Sequence, residues 1–241
     1  MREAIKVERL SKSYGNLLAL DGLSLSVRQN TVFGLLGANG AGKSTTIECI
    51  LGTRRADSGR VSVLGRDPQS GRRDLFQEVG VQFQEGDYQP EIKVSELCEE
   101  TACLYKSPAD WKALCGQFGI GDKANRAVKS LSGGERQRLF IVLALIPAPR
   151  LVFLDELTTG LDAKARRDVW KILEGLKSKG LTIFLTSHFM DEVEALCDEI
   201  CVLKDGRAVF CGTVAQAKAR CACEKFEDAY LMLSGEGGMD E

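Results

Sequence analysis

Histidine is almost missing: His188 is the only one in 241 residues. Only Cys221-Ala222-Cys223 brings two thiols close together in sequence, and no second pair as close completes a ligand set with it, which argues against a zinc centre. Long apolar runs are missing too. The longest, Leu139 to Ile146, falls far below the roughly 18 residues of a membrane-spanning helix, so the chain does not cross a bilayer by itself. There is no excess of one charge. A formal net charge of −2 gives no general pull toward nucleic acid or anionic lipid. The pairs Arg54-Arg55, Arg72-Arg73 and Arg166-Arg167 read as solvated faces. Met1 to Leu10 lacks the apolar centre of a signal peptide and alternates charged with apolar residues, as a strand does. Without an export signal, the nine cysteines read as reduced thiols rather than a disulfide framework, and the expected location is the cytosol. The length allows one large domain or two small ones, with a proper core in either case.

What the chain has is a stretch around which the rest is organised, from Thr31 to Thr46. The apolar run Val32 to Leu36 reads as a buried parallel strand. It leads into Gly37-Ala38-Asn39-Gly40-Ala41-Gly42-Lys43-Ser44, which fits the phosphate-loop pattern G-x-x-x-x-G-K-[ST] without a substitution. Glycines can reach positive φ and bring backbone N–H groups close to an anion. The helix expected from about Gly42 to Leu51 aims its free N–H groups and positive dipole end at the same place. Lys43 brings a full charge to the β- and γ-phosphates, and the Ser44 hydroxyl suits Mg²⁺, which prefers oxygen ligands.

The remaining chain reads as α/β alternation with one interruption. Ile5 to Leu10 and Leu23 to Val27 are strands, with Ser13-Tyr14-Gly15-Asn16 as the turn between them. Tyr14 is either a stacking face for a nucleotide base or an ordinary half-buried tyrosine. Asp57-Ser58-Gly59 is a turn, and Arg60 to Leu64 and Val79 to Phe83 are strands. Gln84 follows the second of these, at the sheet edge where ligands usually bind, with Gln82 on the same face. From Val94 to Phe118 the pattern turns helical, with Ser107-Pro108 opening a second helix. The segment from about 88 to 148 reads as a helical subdomain inserted into the core. Leu131-Ser132-Gly133-Gly134-Glu135-Arg136-Gln137-Arg138 opens a further helix, ended by Pro147 and Pro149. Its serine and glycines make either a second anion-accepting N-terminus or a plain capped helix.

Leu151 to Leu154 reads as a buried strand ending in Asp155-Glu156. Asp155 suits Mg²⁺ held through water, and Glu156 suits a general base acting on water. Thr158 to Asp162 forms a turn before an amphipathic helix, Ala163 to Lys177, with Ala165, Val169, Leu173 and Leu176 on one face. A buried strand, Leu181 to Thr186, leads to Ser187-His188, where a neutral imidazole can reach a γ-phosphate or a water. The strands Ile200 to Lys204 and Arg207 to Phe210 are joined by an Asp205-Gly206 hairpin turn. The tail from 213 to 241 reads as helix up to Leu233, then as Gly-rich, acidic and disordered chain.

Taken together, the phosphate loop, the Ser132 to Gln137 segment, Asp155-Glu156, Gly160-Leu161-Asp162 and Ser187-His188 resemble the motif set of ATP-binding cassette (ABC) ATPases. The resemblance covers nearly the whole chain. It implies a P-loop core with an N-terminal antiparallel β region and an inserted helical subdomain, all in one ABC ATPase domain. It implies ATP and Mg²⁺: Tyr14 on the adenine, Gly37, Ala38, Asn39, Gly40, Ala41, Gly42, Lys43, Ser44 and Thr45 on the phosphates, and Ser44, Gln84 and Asp155 toward the metal. Gln84 also serves the attacking water, Glu156 is the general base and His188 the γ-phosphate contact. Ser132, Gly133, Gly134 and Asp162 would complete the ATP site of a second copy or of a homologous subunit. The implied activity is ATP hydrolysis that powers a transporter, most like drug, lipid or antibiotic exporters. The partner is then a separate transmembrane permease, the place the cytoplasmic face of the membrane, and nucleic acid is not a partner. A soluble ABC ATPase acting on ribosomes or DNA is the alternative, and a small-molecule phosphotransferase a third reading that has no use for Ser132. One residue departs from the family pattern. Leu157 stands after Glu156 where proline is usual, which removes a rigid turn before Asp162.

Overall fold

The structure is a computed structural model that describes residues 2–82, 88–89 and 91–235. In chain order its elements are β1 (Glu3–Tyr14), β2 (Leu17–Arg28), β3 (Val32–Gly37), α1 (Lys43–Ile50), β4 (Ser58–Val63), α2 (Arg72–Leu75) and β5 (Val79–Gln82). Then follow α3 (Val94–Cys103), α4 (Trp111–Gln117), two short 3₁₀ turns, α5 (Gly133–Leu145), β6 (Leu151–Leu154), α6 (Ala163–Ser178) and β7 (Thr182–Leu185). The chain continues through α7 (Met190–Leu196), β8 (Glu199–Lys204), β9 (Arg207–Gly212), α8 (Val214–Cys221) and α9 (Phe226–Ser234). It divides into two compact units, Met1–Leu75 with Thr186–Glu241, and Phe76–Leu185.

In the first unit β1 is the centre of an antiparallel sheet, with β2 on one side and β4 on the other. The two long strands extend beyond the apolar runs, so Ser13 and Tyr14 belong to β1 and the hairpin turn shrinks to Gly15 and Asn16. Likewise Ser58 and Gly59 lie inside β4 rather than in a turn, because Gly59 reaches a φ of 95° against β1. β3 is buried along its whole length, as expected of a central parallel strand, and pairs in parallel with β8. β8 turns back into β9 through Asp205 and Gly206, whose φ values of 50° and 73° are those of a tight mirror-image hairpin turn. Phe210, Val202, Phe226 and Tyr230 close a hydrophobic core under α8 and α9. The C-terminal segment is thus two helices and not one. Ala222 adopts a left-handed conformation at φ 53° and stops α8. The acidic tail lies outside the described residues.

In the second unit β5, β6 and β7 run in parallel, β6 in the middle, all of it buried. The Cβ position of Gly80 in β5 coincides with the Ala144 carbonyl of α5, so only glycine lets this helix lie so close to the strand. The helical run after residue 93 divides into α3 and α4. The cap of α4 is Asp110 rather than Ser107: its carboxylate accepts from the amides of Lys112 (2.9 Å) and Ala113 (3.3 Å). The Ala109 amide is spent on the Ile146 carbonyl at 2.7 Å, which ties the segment before the cap to the end of α5.

Candidate functional site

In the first unit, β3 delivers the chain to Gly37, whose Cβ would stand 2.6 Å from the Leu203 carbonyl oxygen at a φ of 151°. Gly40 and Gly42 follow with φ of 82° and 104°, and a Cβ on Gly42 would meet the Ala19 carbonyl at 2.7 Å. The loop closes on itself through the Ala41 amide, which donates to Ala38 O at 3.1 Å. Gly42 caps α1 by conformation alone, with no side chain over the helix start. Thr46 anchors the first turn by donating both its amide (2.9 Å) and its hydroxyl (2.8 Å) to the Gly42 carbonyl.

Lys43 Nζ donates to the carbonyls of Gly37 (2.7 Å) and Ala38 (3.1 Å), so the ammonium lies over the loop. Asn39, Gly40 and Ser44 are exposed, Ala38, Gly42, Lys43 and Thr45 half-buried, and Ala41 buried. A helix start without a side-chain cap, an ammonium and an exposed hydroxyl form a cradle for polyphosphate.

A residue to which the motifs gave no role supports this cradle. The Gly206 amide, at the tip of the β8–β9 hairpin, donates to Ala41 O at 3.1 Å, and Gly206 O accepts from the Asp21 amide at 3.0 Å. The only sequence signal for it is the Asp-Gly turn itself.

Tyr14 ends β1 with 38% of its surface exposed. Two cations flank its ring, Arg54 at 5.3 Å and Lys12 at 5.7 Å from the ring centre. Both are held in turn, Arg54 by Glu48 at 2.5 Å and Lys12 by Asp57 at 2.7 Å. The Lys12 ammonium and the Ser13 amide keep the Asp57 carboxyl below its ordinary range. His188 is exposed, just after buried Thr186 and Ser187, and the Ser187 hydroxyl accepts from the Phe189 amide at 3.0 Å to turn the chain beside it.

The second unit brings together the other motifs. Ser132 caps α5 in a reciprocal box: its hydroxyl accepts from the Glu135 amide (3.2 Å), while the Glu135 carboxylate accepts from the Ser132 amide (2.8 Å). The Ser132 amide and then Lys123 hold the Glu135 carboxyl below its ordinary range. Ser132 and Gly133 are exposed, and a Cβ on Gly134 would approach Leu161 Cδ2 to 3.1 Å.

β6 delivers Asp155 and Glu156, both half-buried, and the Asp155 amide donates to Gln82 O at 3.1 Å. Glu156 holds a positive φ of 50°, uncommon for a residue with a Cβ. Gln137 fixes that turn by donating from Nε2 to the carbonyls of Glu156 (3.2 Å) and Leu157 (2.9 Å). Leu157 is fully buried, so an apolar anchor stands where the family pattern has a rigid ring. Asp162 caps α6 by accepting from the Ala165 amide at 2.8 Å. Gln84 lies outside the described residues. Among those described, no cluster of three histidine, cysteine or carboxylate groups could hold a metal, and no helix is long and apolar enough to cross a membrane.

The sequence profile of the ABC transporter family matches residues 20–159. The chain is 41% identical over 210 residues to the Nod factor export ATP-binding protein I of Ralstonia nicotianae, covering 85% of this chain and 65% of that protein. It is 36% identical over 221 residues to the daunorubicin/doxorubicin resistance ATP-binding protein of Streptomyces peucetius, covering 90% of this chain and 67% of that one. The chain thus spans about two thirds of the length of these relatives. A solved ATP-binding subunit of an ABC transporter superposes with a TM-score of 0.88 at 25% identity, covering 96% of this chain and 99% of that one. An ATP-binding cassette solved in its ADP conformation gives 0.80 at 25%, again covering 96% and 99%.

The chain belongs to the ABC transporter family. It is an ATP-binding cassette of the kind that couples ATP hydrolysis to transport, which sets aside the ribosomal and phosphotransferase readings.

Proposed function

We propose that this chain is the ATP-hydrolysing subunit of an ABC exporter and that it works on the cytoplasmic face of a membrane with a separate permease. The observation that carries this is the cradle at Gly37 to Ser44, where Lys43 and the start of α1 converge on a loop that leaves no room for a Cβ at Gly37 or Gly42. The names of the relatives, one an export protein and one a drug-resistance protein, support the direction of transport.

Tyr14 stacks on the adenine, its ring held by nearby Lys12 and Arg54. Lys43 and the amides from Ala38 to Thr45 hold the phosphates. The chemistry of the Ser44 hydroxyl, the Asp155 carboxylate and Gln84 suits Mg²⁺, since each would supply oxygen, the ligand that this cation prefers. When bound, Mg²⁺ neutralises charge on the β- and γ-phosphates. Glu156 takes the proton of the attacking water, and His188 hydrogen-bonds the γ-phosphate. The segment from 88 to 148 serves as the helical subdomain that, with the Gln84 region, faces the permease.

Ser132, Gly133, Gly134 and Asp162 act on the ATP held by a second copy or a homologous subunit. ATP then links two subunits, and hydrolysis removes the link, so closure follows nucleotide state. A Glu156→Gln variant tests the assignment. It should bind Mg-ATP, turn it over at least about a hundredfold more slowly, and run as an ATP-dependent dimer in size exclusion. Turnover at the wild-type rate would remove Glu156 from the chemistry. Tagged chain recovered from gently solubilised membranes with a polytopic protein in near-equal amount would support the permease; recovery with soluble partners alone would count against it.

A further inference from the structure

Cys201 in β8 and Cys211 in β9 face each other across the antiparallel pair, and their sulfurs approach to 2.9 Å. They lie before the register shift that follows Val202, where the ladder is still regular. Opposed residues in such a ladder have Cα atoms about 4.5–5.5 Å apart, inside the roughly 4.4–6.8 Å that a disulfide needs. Both thiols are free in the structure. Cys201 is fully buried and Cys211 is exposed. By the strand period, the pair occupies the sheet face opposite to Val202 and Phe210, which pack under α8 and α9.

We propose that Cys201 and Cys211 are a reversible disulfide site that reacts by exchange with a low-molecular-weight disulfide of the glutathione type. Exposure gives the order of events. The Cys211 thiolate attacks one sulfur of the small disulfide, forms a mixed disulfide and releases one small thiolate. The Cys201 thiolate, shielded from outside reagents but beside its neighbour, then attacks the Cys211 sulfur and releases the second. The two protons lost by the cysteines are taken up by the two leaving thiolates, so two protein thiols are oxidised and one disulfide is reduced to two thiols. Contact with Cys201 lowers the pKa of Cys211, as suits the attacking group, while the same contact and burial raise that of Cys201. The bond would fasten the hairpin whose tip, Gly206, donates to Ala41 in the phosphate loop.

The test uses the full chain incubated with a graded excess of glutathione disulfide, alkylated, digested without reduction and mapped by mass spectrometry. The expected result is a crosslink between the Cys201 and Cys211 peptides, with the intact mass lower by two hydrogens and restored by dithiothreitol. It should appear before any modification of Cys103, the other exposed thiol. Cys201→Ser should stop at a glutathione adduct on Cys211, and Cys211→Ser should leave Cys201 unmodified. The proposal fails if the wild-type chain gives a stable Cys211 adduct without the crosslink, or if Cys103 reacts first and the pair stays reduced. The wild-type map decides this even where a variant folds poorly.

Discussion

Gln137 Nε2 donates to the backbone carbonyls of Glu156 and Leu157, at 3.2 and 2.9 Å, and so ties the first turns of the Ser132-capped helix to the turn after β6. A local change at one motif therefore alters the geometry of the next. Gln137→Leu removes both donors while keeping most of the volume. It should cost about 1–2 kcal/mol of stability and, on the proposed role of Glu156, lower kcat more than it changes the affinity for ATP. Thermal unfolding and steady-state ATPase kinetics on the same preparation measure the two effects.

Leu157→Ala tests whether burial has taken over the work of a rigid ring. Leu157 has no exposed surface, so truncation should cost about 2–5 kcal/mol. Denaturant unfolding gives the number. A loss below about 0.5 kcal/mol, as at an ordinary surface site, would mean that the turn does not lean on this side chain.

The loop glycines should separate into two classes. A Cβ at Gly40 meets nothing within 4 Å, so Gly40→Ala carries only the left-handed backbone penalty, about 1–2 kcal/mol. At Gly42 the same penalty is joined by a 2.7 Å approach to the Ala19 carbonyl. Gly42→Ala should be the more destabilising and should abolish binding of a fluorescent ATP analogue, while Gly40→Ala retains measurable binding.

The cap of α5 should depend on pH. Glu135 is held below its ordinary carboxyl range, first by the Ser132 amide. A depressed native value means that its stabilisation is complete above the ordinary glutamate pKa of about 4.3 and fades as pH falls through the lower native value. Glu135→Gln, which keeps a capping oxygen but loses the charge, should be less stable than the parent at pH 7, and the difference should close as pH falls below about 4.3. Unfolding midpoints across acid pH measure the difference.

Much of this arrangement is legible in the sequence, because the signals are local. The phosphate loop, the Ser132 cap, Asp155-Glu156 and the Asp205-Gly206 turn each follow from a few adjacent residues whose conformational preferences agree. The misreadings come from competition. Ser107-Pro108 carries a helix-start signal, but the nearby Asp110 caps with two amides and wins. The stretch from Thr213 to Leu233 reads as one helix, yet Ala222 breaks it without glycine or proline. Contacts such as Gln137 to Glu156 and Gly206 to Ala41 leave no trace in spacing, since each joins segments far apart in the chain.

The contact from Gly206 to Ala41 bears on how the protein is made. β3 and the phosphate loop are synthesised well before β8, which pairs with β3, and before the hairpin tip that supports Ala41. A nascent chain carries the complete binding motif long before it carries the backbone partners that hold the motif in shape. Competence to bind nucleotide therefore waits on a long-range pairing step.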